Sequence, residues 1–344
     1  MRDKIILMST WDTVIGHEWA AEMLAGAIEH ERVGHAYLIT GPDQVGKTTL
    51  ARTFAQALNC EAADVARQPC GRCRACSLIA ADRHPDVRLL LPEVSGRGKL
   101  TLKIDEIRGL QQDLSLAAYE ARYKVVILRR FDTATDGAAN AFLKTLEEPP
   151  RNVVVLLTAN DADTLLPTIA SRCRLIHLRP LPAALIEQSL RARWQVPPEQ
   201  ASLLAHLADG RLGWAVQAAQ NDSPLRERAL HLEQLYQALE GSHVFRFDLA
   251  DKLARKPELL PDVLKTWLSW WRDLTLLAQH GGANGDLALT NVDEGSRLAQ
   301  LAQSWSAKQA LAGLKQTNLA LWQLERNANT RLVVENLLLT YPLA

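Results

Sequence analysis

The stretch "GPDQVGKT", Gly41 to Thr48, constrains this chain more than any other. It follows the short apolar run "HAYLIT" (His35 to Thr40) and precedes a helical pattern, so it reads as strand, glycine loop, helix. The spacing fits G-x-x-x-x-G-K-[ST], in which glycines let backbone N–H groups wrap a phosphate. Lys47 would then reach the outer phosphates, and the Thr48 hydroxyl would ligate magnesium. The helix N-terminus adds a dipole that favours an anion. Gly41, Gly46, Lys47, Thr48 and Thr49 form the candidate nucleotide-binding set. A chance match in an ordinary loop is the alternative, and the strand–loop–helix context argues against it.

Four further apolar runs read as strands: "DVRLLLP" (Asp86 to Pro92), "YKVVIL" (Tyr123 to Leu128), "NVVVLLTAN" (Asn152 to Asn160) and "RLIHL" (Arg174 to Leu178). Helical segments lie between them, such as Ile104 to Leu116 with Ile104, Ile107, Leu110 and Leu114 on one face. Repetition of strand and helix predicts an α/β domain, a parallel sheet flanked by helices, over residues 1–180. "EVSGRGK" (Glu93 to Lys99) is expected to be a mobile loop. After "RPLP" (Arg179 to Pro182) the strand signal stops. A small helical unit over 181–222 and a larger all-α domain over 223–344 are expected. In the latter Leu264, Trp267, Trp271 and Leu274 recur at helical spacing beside Trp270, either as core packing or as a subunit interface.

Apolar residues make up 47% of the 344, which excludes disorder as the dominant state. No apolar run approaches the ~18 residues of a membrane span. The N-terminus has no signal-peptide core, so a soluble cytoplasmic protein is expected, starting at Met1 or at Met8. Lys plus Arg equals Asp plus Glu at 39 each, and that neutrality favours a role shared with more basic partners over gripping nucleic acid alone.

Cys60, Cys70, Cys73 and Cys76 are spaced C-x9-C-x2-C-x2-C. In a cytoplasmic chain this suits a structural tetrahedral zinc ion better than disulfides, with reduced free thiols or a redox role as the alternative. His84 reads as a loop histidine rather than a further ligand, and Cys173 as a small buried residue.

The strand Tyr123 to Leu128 ends on Arg129 and Arg130. Hydrolysis of a γ-phosphate needs an acid to hold the magnesium shell and another group to orient water. Arginines can neutralise phosphate charge but can do neither. Asp132 and Asp136 lie beyond the strand end, with Asp132 a candidate helix cap. Binding without turnover is the inference. In "SRC" (Ser171 to Cys173), Arg172 is either an ordinary surface residue or an arginine that reaches a neighbouring subunit's nucleotide.

Together, "HAYLITGPDQVGKTTLA", the four cysteines, "NAFLKTLEEPP", "LLTAN", "SRC" and "NANTRLVVENLLL" resemble the clamp-loader ATPases of bacterial replication, within the AAA+ class. The resemblance covers nearly the whole chain. It implies a nucleotide-binding domain, a helical lid and a C-terminal collar that holds five subunits in a ring. It also implies gamma/tau-like motor subunits and a delta-like subunit as partners, with the sliding clamp and primed DNA reached through the complex. The motor subunits keep acids where this chain has Arg129 and Arg130, and carry a lid arginine where "GRLGWAV" (Gly210 to Val216) has Gly213, with Arg211 close by. Both departures look like the rigid subunit that does not drive the cycle. The resemblance makes Arg172 an arginine finger donated in trans, and puts Thr158 or Asn160 at the position that senses the γ-phosphate. The intact P-loop leaves ATP, with magnesium, open as a ligand of this subunit. Two alternatives are a motor subunit of the same complex that recruits Asp132, and a stand-alone P-loop kinase with a zinc lid. No polymerase-like carboxylate pair is evident.

Overall fold

The computed structural model describes residues 11–64, 68–94, 100–280, 287–326 and 328–342. They divide into two compact units: one holds residues 11–94, 100–181 and 211–213, the other 182–210 and 214–342. The alternative starts Met1 and Met8 lie outside the described residues, as do positions 95–99 of the expected mobile loop.

The first unit is built on seven strands: β1 (Ala36–Thr40), β2 (Val87–Leu90), β3 (Glu93–Val94), β4 (Leu100–Thr101), β5 (Lys124–Leu128), β6 (Val153–Ala159) and β7 (Arg174–His177). Its helices are α1 (Glu18–Glu29), α2 (Lys47–Leu58), α3 (Arg74–Ala80), α4 (Ile104–Ser115), α5 (Asp136–Glu147) and α6 (Pro167–Ala170). Five strands form one sheet in the order β2-β5-β6-β1-β7, every pair parallel. The five apolar runs in the sequence are these five strands. Glu93 and Val94, the first residues of the expected loop, instead form β3, which pairs antiparallel with β4 just beyond the stretch, a pairing too short to leave a periodic signal.

Both faces of the sheet are covered, which is why β1 and β6 read as continuous apolar runs rather than alternations. Tyr37, Ile39, Ile127 and Leu156 face Leu24 of α1 and Leu50 and Phe54 of α2. Leu38, Val126, Leu128 and Val155 face Ile107 and Leu110 of α4 and Phe142 and Leu146 of α5. Because the strands run parallel, the C-terminal ends of β5, β6 and β1 open on one edge, the edge where open α/β sheets bind ligands. Register fixes the alignment there, with Thr40 opposite Ala159 and Leu128 opposite Leu157.

The second unit is helical, with α7 (Ala183–Trp194), α8 (Pro198–Leu207), α9 (Leu212–Gln220), α10 (Ser223–Glu240), α11 (His243–Ala254), α12 (Leu260–Gln279), α13 (Gly295–Ser304), α14 (Ala307–Glu325) and α15 (Thr330–Thr340). The start of α9 belongs to the first unit. The tryptophan cluster is core: Trp267, Trp270 and Trp271 of α12 are all 0% exposed. The indole N–H groups of Trp267 and Trp270 are partnered, whereas that of Trp271 is buried with no hydrogen-bond partner among the described residues. Trp267 Nε1 donates to the His231 carbonyl at 2.7 Å, and Trp270 Nε1 to Tyr236 Oη at 2.9 Å. α14 comes so close to α12 that a Cβ on Gly313 would sit 2.6 Å from the Trp271 ring. Arg246 of α11 is buried, with its guanidinium donating to the carbonyls of Leu338 and Tyr341 at the end of α15. Among the described residues no helix is long and apolar enough to cross a membrane.

Candidate nucleotide site and metal centre

The loop between β1 and α2 has the backbone of a phosphate cradle. Gly41 takes φ +138° and a Cβ there would meet the Leu178 carbonyl oxygen at 2.3 Å, so only glycine fits. Gly46, at φ +117°, turns the chain directly into α2, whose first residue is Lys47. The Lys47 side chain is 7% exposed, and its ammonium donates to the carbonyls of Gly41 and of Pro42, the latter at 2.8 Å. It also reaches Asn160 Oδ1 at 3.3 Å and lies 3.9 Å from Asp43 Oδ1. These chain oxygens occupy the donors that phosphate oxygens would take. Thr48 is half-buried and Thr49 exposed at the start of α2.

The end of β6 closes the other side. Asn160 meets the loop twice: its carbonyl accepts from Gly41 N at 3.1 Å and its side chain holds Lys47. Thr158 instead turns toward β5, its hydroxyl accepting from Arg130 N at 3.0 Å. Of the two candidate sensor residues, Asn160 is therefore the one in hydrogen-bond contact with the lysine. Gly213, in the segment assigned to the first unit, donates its N–H to the Gln44 carbonyl at 2.9 Å. A Cβ there would lie 2.9 Å from that same oxygen, which leaves no room for a side chain.

Arg130, at the end of β5, adopts the left-handed conformation at φ 49°. Its Nη2 lies 3.9 Å from Asp132 Oδ2, and its Nε is buried with no hydrogen-bond partner among the described residues. The sequence reads Asp132 as a candidate helix cap; α5 is capped instead by the Thr135 hydroxyl, which accepts from Ala138 N at 3.2 Å. Asp132 Oδ1 is likewise buried and unpartnered. Burial pushes its carboxyl above the ordinary range, Arg130 and Lys47 pull it back, and Asp43 pushes it further. Asp132 thus lies within the electrostatic reach of Asp43 and Lys47, a relation that spacing in the sequence does not reveal. The donor set is incomplete for magnesium: Thr48 at the start of α2 offers one hydroxyl oxygen, but the strand end offers no carboxylate. That ion takes carboxylate oxygens, whereas here two arginines stand at the strand end and the nearby acid is pushed toward its neutral form.

Arg172 lies just beyond α6 and is 35% exposed. Its guanidinium donates to the Thr168 carbonyl at 2.8 Å and pairs with Glu147 Oε1 at 2.7 Å, at the end of α5. Glu147 is part of the "LEEPP" phrase, whose partner only the fold reveals. Cys173 is partly buried against the α4–α5 side of the sheet, and burial pushes its thiol up to about 12.

Cys60, Cys70, Cys73 and Cys76 come together with their four Sγ atoms all within 4.8 Å of one another. A tetrahedron of metal–thiolate bonds of ~2.3 Å sets sulfurs about 3.8 Å apart, within this spread. Backbone N–H groups already point at the sulfurs: Cys70 N to Cys60 Sγ at 3.3 Å, Cys73 N to Cys70 Sγ at 3.4 Å, and Cys76 N to Cys73 Sγ at 3.4 Å. Burial pushes the Cys60 and Cys76 thiols up, a cost that a cation replacing the proton would remove. The residues fit a metal ion. His84 is no ligand; it is buried, and its Nδ1 accepts from Asp86 N at 3.1 Å.

Comparison with known proteins bears on this geometry. The family model described as "DNA polymerase III, delta subunit" matches residues 16–182. DNA polymerase III subunit delta′ of Escherichia coli is 32% identical over 299 residues, covering 85% of this chain and 84% of that protein. The chain belongs to the DNA polymerase III delta′ family. The delta′ subunit of Pseudomonas aeruginosa is 37% identical over 222 residues, 63% of this chain and 62% of the relative. DNA polymerase III subunit tau of Bacillus subtilis is 29% identical over 305 residues, 83% of this chain but 53% of that protein. The match therefore spans less than two thirds of the Pseudomonas delta′ and about half of the Bacillus tau. The delta′ reading is better supported than the motor-subunit one.

Proposed function

We propose that this chain is the delta′ subunit of a bacterial sliding-clamp loader, working in the cytoplasm. In this reading residues 1–180 are an AAA+ nucleotide-binding domain, 181–222 its lid and 223–344 the collar. The partners are gamma/tau-like motor subunits and a delta-like subunit in a ring of five, which places the clamp on primed DNA. The four cysteines hold a structural zinc ion that staples an insertion with little core of its own. ATP binds the P-loop, at most weakly coupled to hydrolysis, and polymerase chemistry lies elsewhere in the assembly. Arg172 is donated in trans to the ATP site of the adjacent motor subunit.

The observation that carries this reading is the end of β5. A glycine loop with the backbone of a phosphate cradle shares its sheet edge with two arginines and a carboxyl group pushed toward neutrality, which supports binding over turnover. The half-exposed position of Arg172 supports a role outside the chain's own site. Arg172→Ala in the reconstituted ring should leave assembly intact and lower ATP turnover at the adjoining site by ~10³. Unchanged DNA-stimulated turnover by an assembled mutant ring rejects the finger.

A further inference from the structure

We infer that this chain binds a nucleoside triphosphate without magnesium, the Arg130 guanidinium standing as a fixed counter-cation in place of the metal. The inference rests on the nucleotide reading of the P-loop and starts where the donor set is incomplete for the ion. The ends of β5, β6 and β1 are neighbours on one edge of the sheet, so Arg130, Asn160 and the Gly41–Lys47 loop share that edge.

Arg130 is held there at a cost. A non-glycine residue in the left-handed region is strained by roughly 1 kcal/mol or more, and the bond from Arg130 N to Thr158 Oγ1 fixes its main chain. Its side chain is 31% exposed, and its one ion pair among the described residues, to Asp132 at 3.9 Å, is long. The buried Nε has no acceptor among the described residues, so the guanidinium is left under-bonded and its exposed end is open to an anionic acceptor. Asp132 Oδ1 is also without a donor, so the pair does not satisfy itself. Asp132 feels both Lys47 and Asp43, which ties this charge cluster to the phosphate loop.

Charge arithmetic favours the substitution. A magnesium ion held by one carboxylate brings a net charge of one to a phosphate; the Arg130 guanidinium brings the same charge with no metal, because burial pushes the neighbouring Asp132 carboxyl toward its neutral form. Its planar fork of N–H donors also matches phosphate oxygens geometrically. Lys47 remains the second cation, as in any P-loop. Arg129 adds a further positive charge at the strand end, and among the described residues its side chain has no ion pair.

The test is a titration of the purified full chain with a fluorescent N-methylanthraniloyl ATP, in magnesium and in excess EDTA. Wild type should bind with a Kd that changes less than about threefold between the two buffers, and Lys47→Ala should not bind. Arg130→Met should weaken binding in EDTA by about tenfold or more while melting at the wild-type temperature. Arg130→Asp should convert the site to magnesium dependence, a gain that loss of a structural contact would not produce. Wild-type binding that disappears in EDTA overturns the inference and leaves the P-loop reading intact. Binding in EDTA that Arg130→Met does not change overturns the role of Arg130. Wild type indistinguishable from Lys47→Ala in both buffers overturns the nucleotide reading itself, and the inference with it.

Discussion

Replacing either glycine of the phosphate loop by alanine strains the backbone, but the surroundings of the two differ. Gly41 and Gly46 take φ values of +138° and +117°, which cost an L-residue roughly 1–3 kcal/mol. Gly46 has nothing within 4 Å of a built Cβ, whereas at Gly41 the methyl would lie 2.3 Å from the Leu178 carbonyl oxygen and 3.2 Å from its carbon. That backbone is not free to move, because Leu178 N donates to the Thr40 carbonyl at 2.8 Å and extends the β1–β7 ladder. Overpacking of this kind adds about 1–3 kcal/mol. The gain from a less flexible unfolded chain, about 0.4–1 kcal/mol, applies to both variants and cancels in the comparison. Gly41→Ala should therefore cost about 2 kcal/mol more than Gly46→Ala, ~30-fold in the local opening equilibrium. Amide hydrogen exchange by mass spectrometry, on peptides spanning β1 and β7, reads that equilibrium directly. Equal protection in the two variants, or a greater loss in Gly46→Ala, would refute the reasoning.

Two further predictions follow from the metal centre and from a buried carboxylate. Cys73→Ser should bring metal content, measured by elemental analysis, toward zero, and a metal-free yet fully folded wild type would remove the metal assignment. Asp86 is 4% exposed and accepts from the N–H groups of Tyr119, Glu120 and Ala121 at 2.7, 2.8 and 2.9 Å. Burial alone would raise its pKa, but the amide donors outweigh it and hold the carboxyl below its ordinary range. The folded value thus lies below the unfolded one, so the stabilisation is present above the unfolded pKa of ~3.9 and fades as pH falls through the folded value. Asp86→Asn should cost about 2 kcal/mol in urea unfolding near neutral pH, and the gap should narrow well below about pH 4. A gap that stays constant down the titration would show that the carboxylate charge is not what holds residues 119–121.

Arg172 and Arg130 illustrate two uses of the same side chain. Arg172 sits at the surface, oriented by Glu147 and the Thr168 carbonyl through contacts that solvent keeps weak and exchangeable. Arg130 sits in a strained backbone with an unmet buried donor. The first arrangement suits a group lent to a neighbour, the second a group kept for the chain's own ligand.

Much of the fold was legible because its signals are local. Strands buried on both faces must be apolar throughout, so β1, β5 and β6 announce themselves, and a phosphate loop needs glycine at Gly41 and Gly46 for backbone reasons alone. Thiols at close spacing can converge on one point whatever surrounds them, and Cys60, Cys70, Cys73 and Cys76 do. The tryptophans of α12 left core and interface open, and burial by the other helices of the second unit decided for core. What joins distant segments was not legible. The Asn160–Lys47 bond, the Glu147–Arg172 pair and the Asp86 clasp on residues 119–121 have no periodicity. Nor does the place of Asp132 in the field of the phosphate loop, because its neighbours there come from another strand end. The sequence by itself determined which groups were available: a phosphate cradle, four thiols, and arginines where acids would serve hydrolysis. Only the tertiary structure decided which of them meet and how dry their meeting place is, because strand order and burial set distance and dielectric, and on those the strength of every charge interaction depends.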